Sequence, residues 1–294
     1  MIKEANLNGG VVKPFHHIRR ATIKLLARAC IGSDFSDEEF DATMDVMVEE
    51  ALKYGGDARI VDTFPPARFL PNVKRAIMQM EKLKILVEEC IGHHLASPPP
   101  PNCYAHFLLS QRFPREVTIF SIFEVFVLGL DSTGSTTMWA LGLLVHNQKA
   151  QQKLYQEIRD HATCTEKGIV KVEEVGKLEY LQAVVKETMR MKPIAPLAVP
   201  HKAARDTTER FMESSKEFLG KRGQCSFLPL GAGMRACAGM EVGKLQLPFA
   251  VSNLVNAFHW SNAVEGEESN LSEDFSFVLP MKTPLEARIV PRGI

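Results

Sequence analysis

The sequence predicts a mostly α-helical fold with small β segments near the C-terminus, and three observations support this prediction. Apolar residues recur at helical spacing through the first two thirds of the chain. Proline and glycine clusters separate these periodic segments from one another. After Pro193 the pattern changes to short extended and alternating segments. The chain has 294 residues, 45% of them hydrophobic, and this is enough to bury a core.

Two amphipathic helices are predicted in the first hundred residues. Ser36 and Glu39 form a capping box that opens a helix, and this helix ends at Gly55. The second helix covers about Val73–Leu95, and the proline run SPPPPN that follows stops it.

A long central helix is predicted from about 116 to 147, apolar nearly all round and therefore buried, with one polar interruption at 131–133. Further helices are predicted at about Lys149–Ala162 and Val172–Met191. The interruption in a buried helix calls for a reason.

For the last third of the chain, the sequence predicts a mixture of helical, extended and irregular segments. The stretch PLAVPHKA reads as extended, residues 199–226 as irregular, and Gly239–Phe258 as a helix. Alternating strands are expected in Phe275–Val290.

Composition excludes several classes of protein. Thirty-five basic residues balance 35 acidic ones, so no overall field attracts nucleic acid or an anionic membrane surface. The six cysteines form no CxxC pair and are not spaced as in a disulfide scaffold. This pattern is typical of a protein in a reducing, cytosol-facing compartment. The apolar run Thr118–Leu130 is too short to span a bilayer, and the N-terminus reads as neither a signal peptide nor an anchor.

The segment GAGMRACAG, residues 231–239, sets Arg235 and Cys237 among small residues. It fits the dinucleotide pattern GxGxxA, but no acidic residue follows about 20 positions on. A nucleophilic cysteine would need a base, and no spacing ties His201 or His259 to Cys237.

A thiolate metal ligand is the third interpretation. Cys237 stands just before a predicted helix, whose N-terminus favours negative charge. Glycines at 231, 233 and 239 would let a flat cofactor approach the backbone, and Arg235 could meet carboxylates at its edge. Haem with an axial cysteine needs these parts together.

The stretch FLPLGAGMRACAG, residues 227–239, resembles the haem-binding signature of cytochromes P450. The resemblance implies a cytochrome P450 fold, present in part, with heme b whose iron is ligated by Cys237. It also implies a set of cofactor-binding residues: Phe227, Gly231, Gly233, Arg235, Gly239 and, at a haem propionate, His201.

Two further motifs resemble the family. Glu187 and Arg190 match its Glu-x-x-Arg helix, and Arg210 stands where the family supplies a third partner behind the haem. The interruption LGLDST resembles the oxygen-activation motif, which implies proton delivery by Asp131 with the hydroxyls of Ser132 and Thr133.

Ser132 and Leu128 depart from the usual family residues at their positions, which are threonine and a small residue. At both positions the chain resembles a plant subgroup of the family, the canadine, stylopine and cheilanthifoline synthases. These enzymes close methylenedioxy bridges on alkaloids and related phenolics. The resemblance implies a monooxygenase with O2, a small hydrophobic aromatic or alkaloid substrate, and NADPH electrons through cytochrome P450 reductase. It implies the cytosolic face of the endoplasmic reticulum, or the cytoplasm for a chain without an anchor.

The resemblance spans one partial domain, 1–294, comprising the central helix at 116–147, the Glu-x-x-Arg helix at 172–191, and the cysteine loop and helix at 227–258. The family's N-terminal part has no counterpart, and two strands and a short helix are expected to be missing after Asp206. A truncated, non-catalytic member that binds haem weakly is the rival hypothesis, and a cysteine-dependent hydrolase or dinucleotide-binding protein is another.

Overall fold

The computed structural model describes the chain over these residues: 1–33, 54, 60–61, 64–196, 229–231, 235–267, 269–274 and 278–293. The predicted helix from Ser36 to Gly55 and the extended stretch PLAVPHKA from residue 197 onward lie outside them. The described chain is mostly helical, as predicted.

Eight α-helices and three strands are described in chain order, with labels used below: α1 Ile2–Leu7, β1 Val11–Val12, α2 Pro14–Ile31, α3 Pro71–His94, α4 Tyr104–Ser110, α5 Arg115–His146, α6 Gln148–His161, α7 Glu179–Met191, α8 Met240–Ala257, β2 Phe258–Asn262 and β3 Ala287–Pro291. Two short 3₁₀ helices, Pro65–Phe69 and Val172–Lys177, precede α3 and α7.

The chain divides into two compact units. The central unit is Pro14–Gly134, and the terminal unit combines Met1–Lys13 with Ser135–Ile294. The 32-residue helix α5 contributes its first part to the central unit and its second part to the terminal unit.

Apolar side chains of α2, α3 and α5 form the core of the central unit. Ile23, Ile91, Ile122 and Phe126 are fully buried there. Their spacing within each helix is the three-to-four-residue repeat that places side chains on one face. Burial of these faces is the main source of the unit's stability.

The terminal unit has its own core, built from α6, α7 and α8. Leu154, Leu181 and Val255 are fully buried in it. A three-stranded antiparallel sheet in the order β1-β3-β2 lies in the same unit, with Val11 opposite Arg288 and Trp260 opposite Ile289.

The helix predicted over Val172–Met191 differs from the observed structure. Val172–Lys177 is a 3₁₀ helix, Leu178 has extended backbone angles, and α7 begins only at Glu179. The carboxylate of Glu157 on α6 accepts the backbone N–H groups of Tyr180 and Leu181 at 2.6 and 2.9 Å. A carboxylate at these free amides fixes the start of α7, and local sequence could not reveal it.

The C-terminal strands are also shorter than predicted. Residues 275–277 lie outside the described chain, Glu273 and Met281 form one isolated bridge, and the regular strand β3 starts at Ala287. Pro280 and Pro284 lack a backbone N–H, which limits ladder formation before that point.

Within the described residues, α5 is the helix long and apolar enough to cross a membrane by length and mean hydropathy. Of its most apolar window, 44% is buried inside the protein. The buried core helix of a globular protein satisfies the same two criteria.

Candidate functional site

Cys237 lies in the segment that leads into α8. Its thiol is free and exposed to solvent. Its backbone N–H donates to the carbonyl oxygen of Leu230 at 2.8 Å, and its own carbonyl oxygen accepts the N–H of Met240 at 3.1 Å. These two bonds tie the backbone of the cysteine to the preceding chain and to the first turn of α8.

Backbone conformation explains one of the loop's glycines. Gly231 has φ +70°, the left-handed region in which a side chain is strained. Gly239 is the N-cap of α8, and a Cβ there would stand 3.9 Å from the sulfur of Cys237, an ordinary contact. Arg235 is exposed, while Phe227, Gly233 and His201 lie outside the described residues.

Aliphatic side chains pack the other side of this segment. A cavity of about 250 Å³ between α7 and α8 is lined by Leu230, Met189 and Leu247, with Gly231 at its edge. Leu230, whose carbonyl oxygen accepts the N–H of Cys237, therefore lines the same cavity as residues of both helices.

The described residues fit an axial haem ligand. A thiolate is the cysteine species that binds iron, and it needs an accessible sulfur outside the apolar core. Cys237 meets this condition. Cys30 contrasts with it, because burial, and then the neighbouring Cys103, raises the pKa of its thiol to about 12.

A histidine-activated nucleophile receives no support from the geometry. His259 lies in β2 opposite Val290, and burial, together with the positive charge of Arg292, lowers the pKa of its imidazole. In the part of the chain that the structure describes, no histidine hydrogen-bonds to Cys237.

The Glu-x-x-Arg motif lies on α7 and forms the predicted ion pair. Arg190 donates from Nε and Nη2 to the two carboxylate oxygens of Glu187, at 2.7 and 2.5 Å. These hydrogen bonds hold the pKa of the Glu187 carboxyl below its usual value and raise that of Arg190. The side chains are 54% and 61% exposed, so a role in locking a core remains a prediction. Arg210 lies outside the described residues.

The polar interruption in α5 contains a buried ion pair. Nη1 of Arg19 on α2 donates to Oδ1 of Asp131 at 3.0 Å. Both residues are buried, at 3% and 8% exposure. The sequence identified Asp131 but missed Arg19, although this arginine falls on the same helical face as Ile23 and Leu26, where an apolar residue is expected.

Neighbouring residues explain the rest of the interruption. The Ser132 hydroxyl donates to the carbonyl oxygen of Leu128 one turn earlier, at 2.5 Å. Thr133 continues the helix and is half-buried. A Cβ at Gly129 would stand 3.3 Å from a methyl carbon of Leu26, so the glycine lets α2 approach α5 closely. This contact belongs to the packing of the two helices.

Comparison with known proteins places the chain among relatives that match its whole length. It is 46% identical over 329 aligned positions to (S)-canadine synthase from Coptis japonica, covering 100% of this chain and 67% of that protein. It is 45% identical to piperic acid synthase from Piper nigrum, covering 97% and 63%, and 42% identical to cheilanthifoline synthase from Eschscholzia californica, covering 99% and 66%. The chain thus spans about two thirds of the length of these relatives.

The aligned length against the Coptis protein exceeds the 294 residues of this chain, so that protein has residues at positions where this chain has none. A solved zebrafish cytochrome P450 with abiraterone is similar in fold, with a TM-score of 0.67 at 20% identity, covering 94% of this chain and 71% of that one. The family model for cytochrome P450 matches residues 1–210 and 207–285, two stretches that meet close to the gap predicted after Asp206. The chain belongs to the cytochrome P450 family.

Proposed function

We propose that this chain is part of a haem-thiolate monooxygenase that acts on a plant aromatic or alkaloid substrate and closes a methylenedioxy bridge. The observation that carries the proposal is the free, exposed thiol of Cys237, whose backbone is bonded to Leu230 and to the first turn of α8, in a chain of this family. The relatives named as canadine, piperic acid and cheilanthifoline synthases support the class of substrate.

Cys237 would hold the cofactor, heme b, through its sulfur, and Arg235 would meet a propionate. When bound, haem supplies the activation of O2, in which one oxygen atom enters a C–H bond of the substrate and the other leaves as water. The two electrons come from NADPH through the cytochrome P450 reductase. Asp131 and Ser132 would move the two protons that this stoichiometry requires.

The proposed substrate is an aromatic ring with a methoxy group next to a phenol. Hydroxylation of the methyl carbon gives a hydroxymethyl ether. The phenol oxygen then bonds to this carbon, the carbon–hydroxyl bond breaks, and the phenol proton leaves with the hydroxyl as water. The product is two hydrogens lighter than the substrate, and one NADPH is consumed.

Plant members of this family are typically bound to the endoplasmic reticulum membrane. We place this chain's activity at the cytosolic face, where the reductase supplies electrons.

A second candidate is a non-catalytic member that retains haem poorly. The exposure of the Glu187–Arg190 pair and the gap against the Coptis protein favour it. In a protein that binds haem tightly, this pair is predicted to be covered.

Turnover distinguishes the two candidates. The purified chain, supplied with haem, reductase, NADPH and an ortho-methoxyphenol alkaloid, should yield a product two hydrogens lighter. The Cys237→Ser variant should yield none, while Cys164→Ser, which changes a free and half-buried cysteine, should retain the reaction. If the chain takes up no haem under conditions that load a full-length relative, the second candidate holds.

A further inference from the structure

Lys192 joins three separate parts of the terminal unit through one ammonium group. Its Nζ lies 4.5 Å from the centre of the Trp139 ring on α5, a cation–π contact. The same Nζ donates to the carbonyl oxygen of Leu271 at 3.2 Å and to Oε1 of Glu273 at 2.8 Å. The Lys192 side chain is 19% exposed, so water reaches it only in part. A single charge thus connects the end of α7 with α5 and with the chain between β2 and β3.

Lys192 makes these contacts from a well-packed helix. It is the C-cap of α7, and its backbone N–H donates to the carbonyl oxygen of Thr188 at 2.8 Å. Leu181 and Val185 pack α7 into the core of the terminal unit. The helix that carries the ammonium is therefore anchored independently of the chain that the ammonium contacts.

The chain between β2 and β3 has few backbone hydrogen bonds of its own. Among its described residues, Glu273 and Met281 form one isolated bridge. The backbone N–H groups of Asp274 and Lys282 donate across the same pair of segments at 3.0 and 2.9 Å. Segments held by so few bonds open more readily than packed helices do.

Two further hydrogen bonds hold this chain in place, and both meet at Leu279. The indole Nε1–H of Trp139 donates to the carbonyl oxygen of Leu279 at 2.9 Å. The backbone N–H of Leu279 donates to the carbonyl oxygen of Ile194 at 2.8 Å. Residues 271–274 and 278–282, called the clasped segments below, are thus bound by the same two elements, α5 and the chain after α7, that meet at Lys192.

The surface of α5 under the clasped segments is shaped for close approach. A Cβ at Gly142 would stand 2.7 Å from Cε of Met281 and 2.9 Å from Cδ2 of Leu271, closer than real Cβ contacts allow. Glycine at this position therefore lets the clasped segments lie directly on the helix.

We propose that Lys192 is a latch that holds the clasped segments against α5, and that these segments open as one unit ahead of the helical core of the terminal unit. Opening uncovers the surface of α5 at Trp139 and Gly142. The inference goes beyond the proposed function, because the latch consists of contacts between protein groups and needs no haem.

Amide hydrogen exchange of the purified chain, measured without haem, tests the latch. In wild type the amides of Asp274, Leu279 and Lys282 should share one opening equilibrium and exchange faster than the amides of α6 and α8. Lys192→Met keeps the aliphatic stem and removes the charge, so these three amides should exchange on the order of 10-fold faster while α6 and α8 stay unchanged. Lys192→Arg keeps a cation that can donate to the same acceptors and should restore most of the protection.

The matched control is Lys177→Met, in the same unit. Lys177 pairs with Glu174 at 3.1 Å, and its side chain is 67% exposed, so the clasped segments should exchange as in wild type. Glu273→Gln removes one partner of the Lys192 ammonium and should accelerate exchange by a smaller factor than Lys192→Met. This variant carries the test if Lys192→Met does not fold.

A second arm acts on the clasped segments from the side of α5. In Gly142→Ala the new methyl would push against Met281 and Leu271, so the Leu279 amide should exchange faster although the ammonium is intact. Gly243→Ala, on α8, places a methyl in open space and should leave this exchange unchanged.

Three results would overturn the proposal. The first is unchanged exchange at Leu279 in both Lys192→Met and Glu273→Gln. The second is an equal acceleration in α8, which would show that Lys192 stabilises the whole unit and latches no part of it. The third is independent opening of the Asp274, Leu279 and Lys282 amides, which would show that the clasped segments do not move together.

Discussion

Two arginine–carboxylate pairs in this molecule differ in almost every respect except their chemistry. Glu187 and Arg190 stand three residues apart on α7, and their side chains are more than half exposed. Asp131 and Arg19 are 112 positions apart, and their side chains are nearly inaccessible. Water and salt screen the exposed pair, whereas water has little access to the buried pair. The same interaction therefore has very different consequences at the two places.

The largest expected effect follows from breaking the buried pair. Asp131→Ala removes the carboxylate that accepts from the buried Arg19 guanidinium, so the free energy of unfolding should fall by about 3–5 kcal/mol. Urea denaturation of wild type and variant measures the difference. The double variant Arg19→Met/Asp131→Leu removes both charges and should recover most of the loss. A double variant no more stable than Asp131→Ala would contradict this account.

A smaller effect is expected next to the buried pair, at Gly129. In Gly129→Ala the new methyl would meet Leu26 at 3.3 Å, within the packed interface of α2 and α5. Overpacking costs about 1–3 kcal/mol, and the better helix propensity of alanine offsets about 1 kcal/mol of this. We expect a net loss of about 1 kcal/mol in unfolding free energy. In Gly176→Ala the methyl would have open space around it, which makes it the control, and equal effects in both variants would refute tight packing at Gly129.

The smallest effect is expected at the exposed pair. Glu187→Gln removes one charge that water already solvates, so the unfolding midpoint at pH 7 should change little. The Arg190 hydrogen bonds lower the pKa of Glu187, so their contribution is present above the unfolded pKa and is lost as pH falls through the folded one. Melting curves of wild type and Glu187→Gln should therefore converge under acid conditions. A large destabilisation at pH 7 would show that the pair is covered in solution, as the family resemblance predicts.

The difference between the two pairs also explains what the sequence could predict. Helical spacing identified Glu187 and Arg190 as neighbours on one helix face, and hydrophobic periodicity located α3, α5, α6 and α8 to within about two residues. The spacing of residues along one helix does not determine whether that face is buried, so the sequence did not predict the exposure of Glu187 and Arg190. The partner of Asp131 was missed because it is distant in sequence, and periodicity relates only local residues.

Other differences between the predicted and the observed structure also come from contacts between residues distant in sequence. The start of α7 depends on the Glu157 carboxylate from α6, and the sheet depends on β1, a strand of two residues that pairs with β3 near the other end of the chain. Both are long-range contacts. The cysteine segment was recognised from its residues because a ligand loop is local, and the glycine that needs a left-handed conformation, Gly231, stood within it.

The absorption spectrum of the reduced, carbon monoxide-treated protein shows whether the Cys237 sulfur ligates haem. Thiolate-ligated haem gives a characteristic red-shifted band, which wild type and Cys164→Ser should both display and Cys237→Ser should lack. A red-shifted band that persists in Cys237→Ser, or haem-loaded wild type without the band, would show that Cys237 is not the thiolate ligand of the haem.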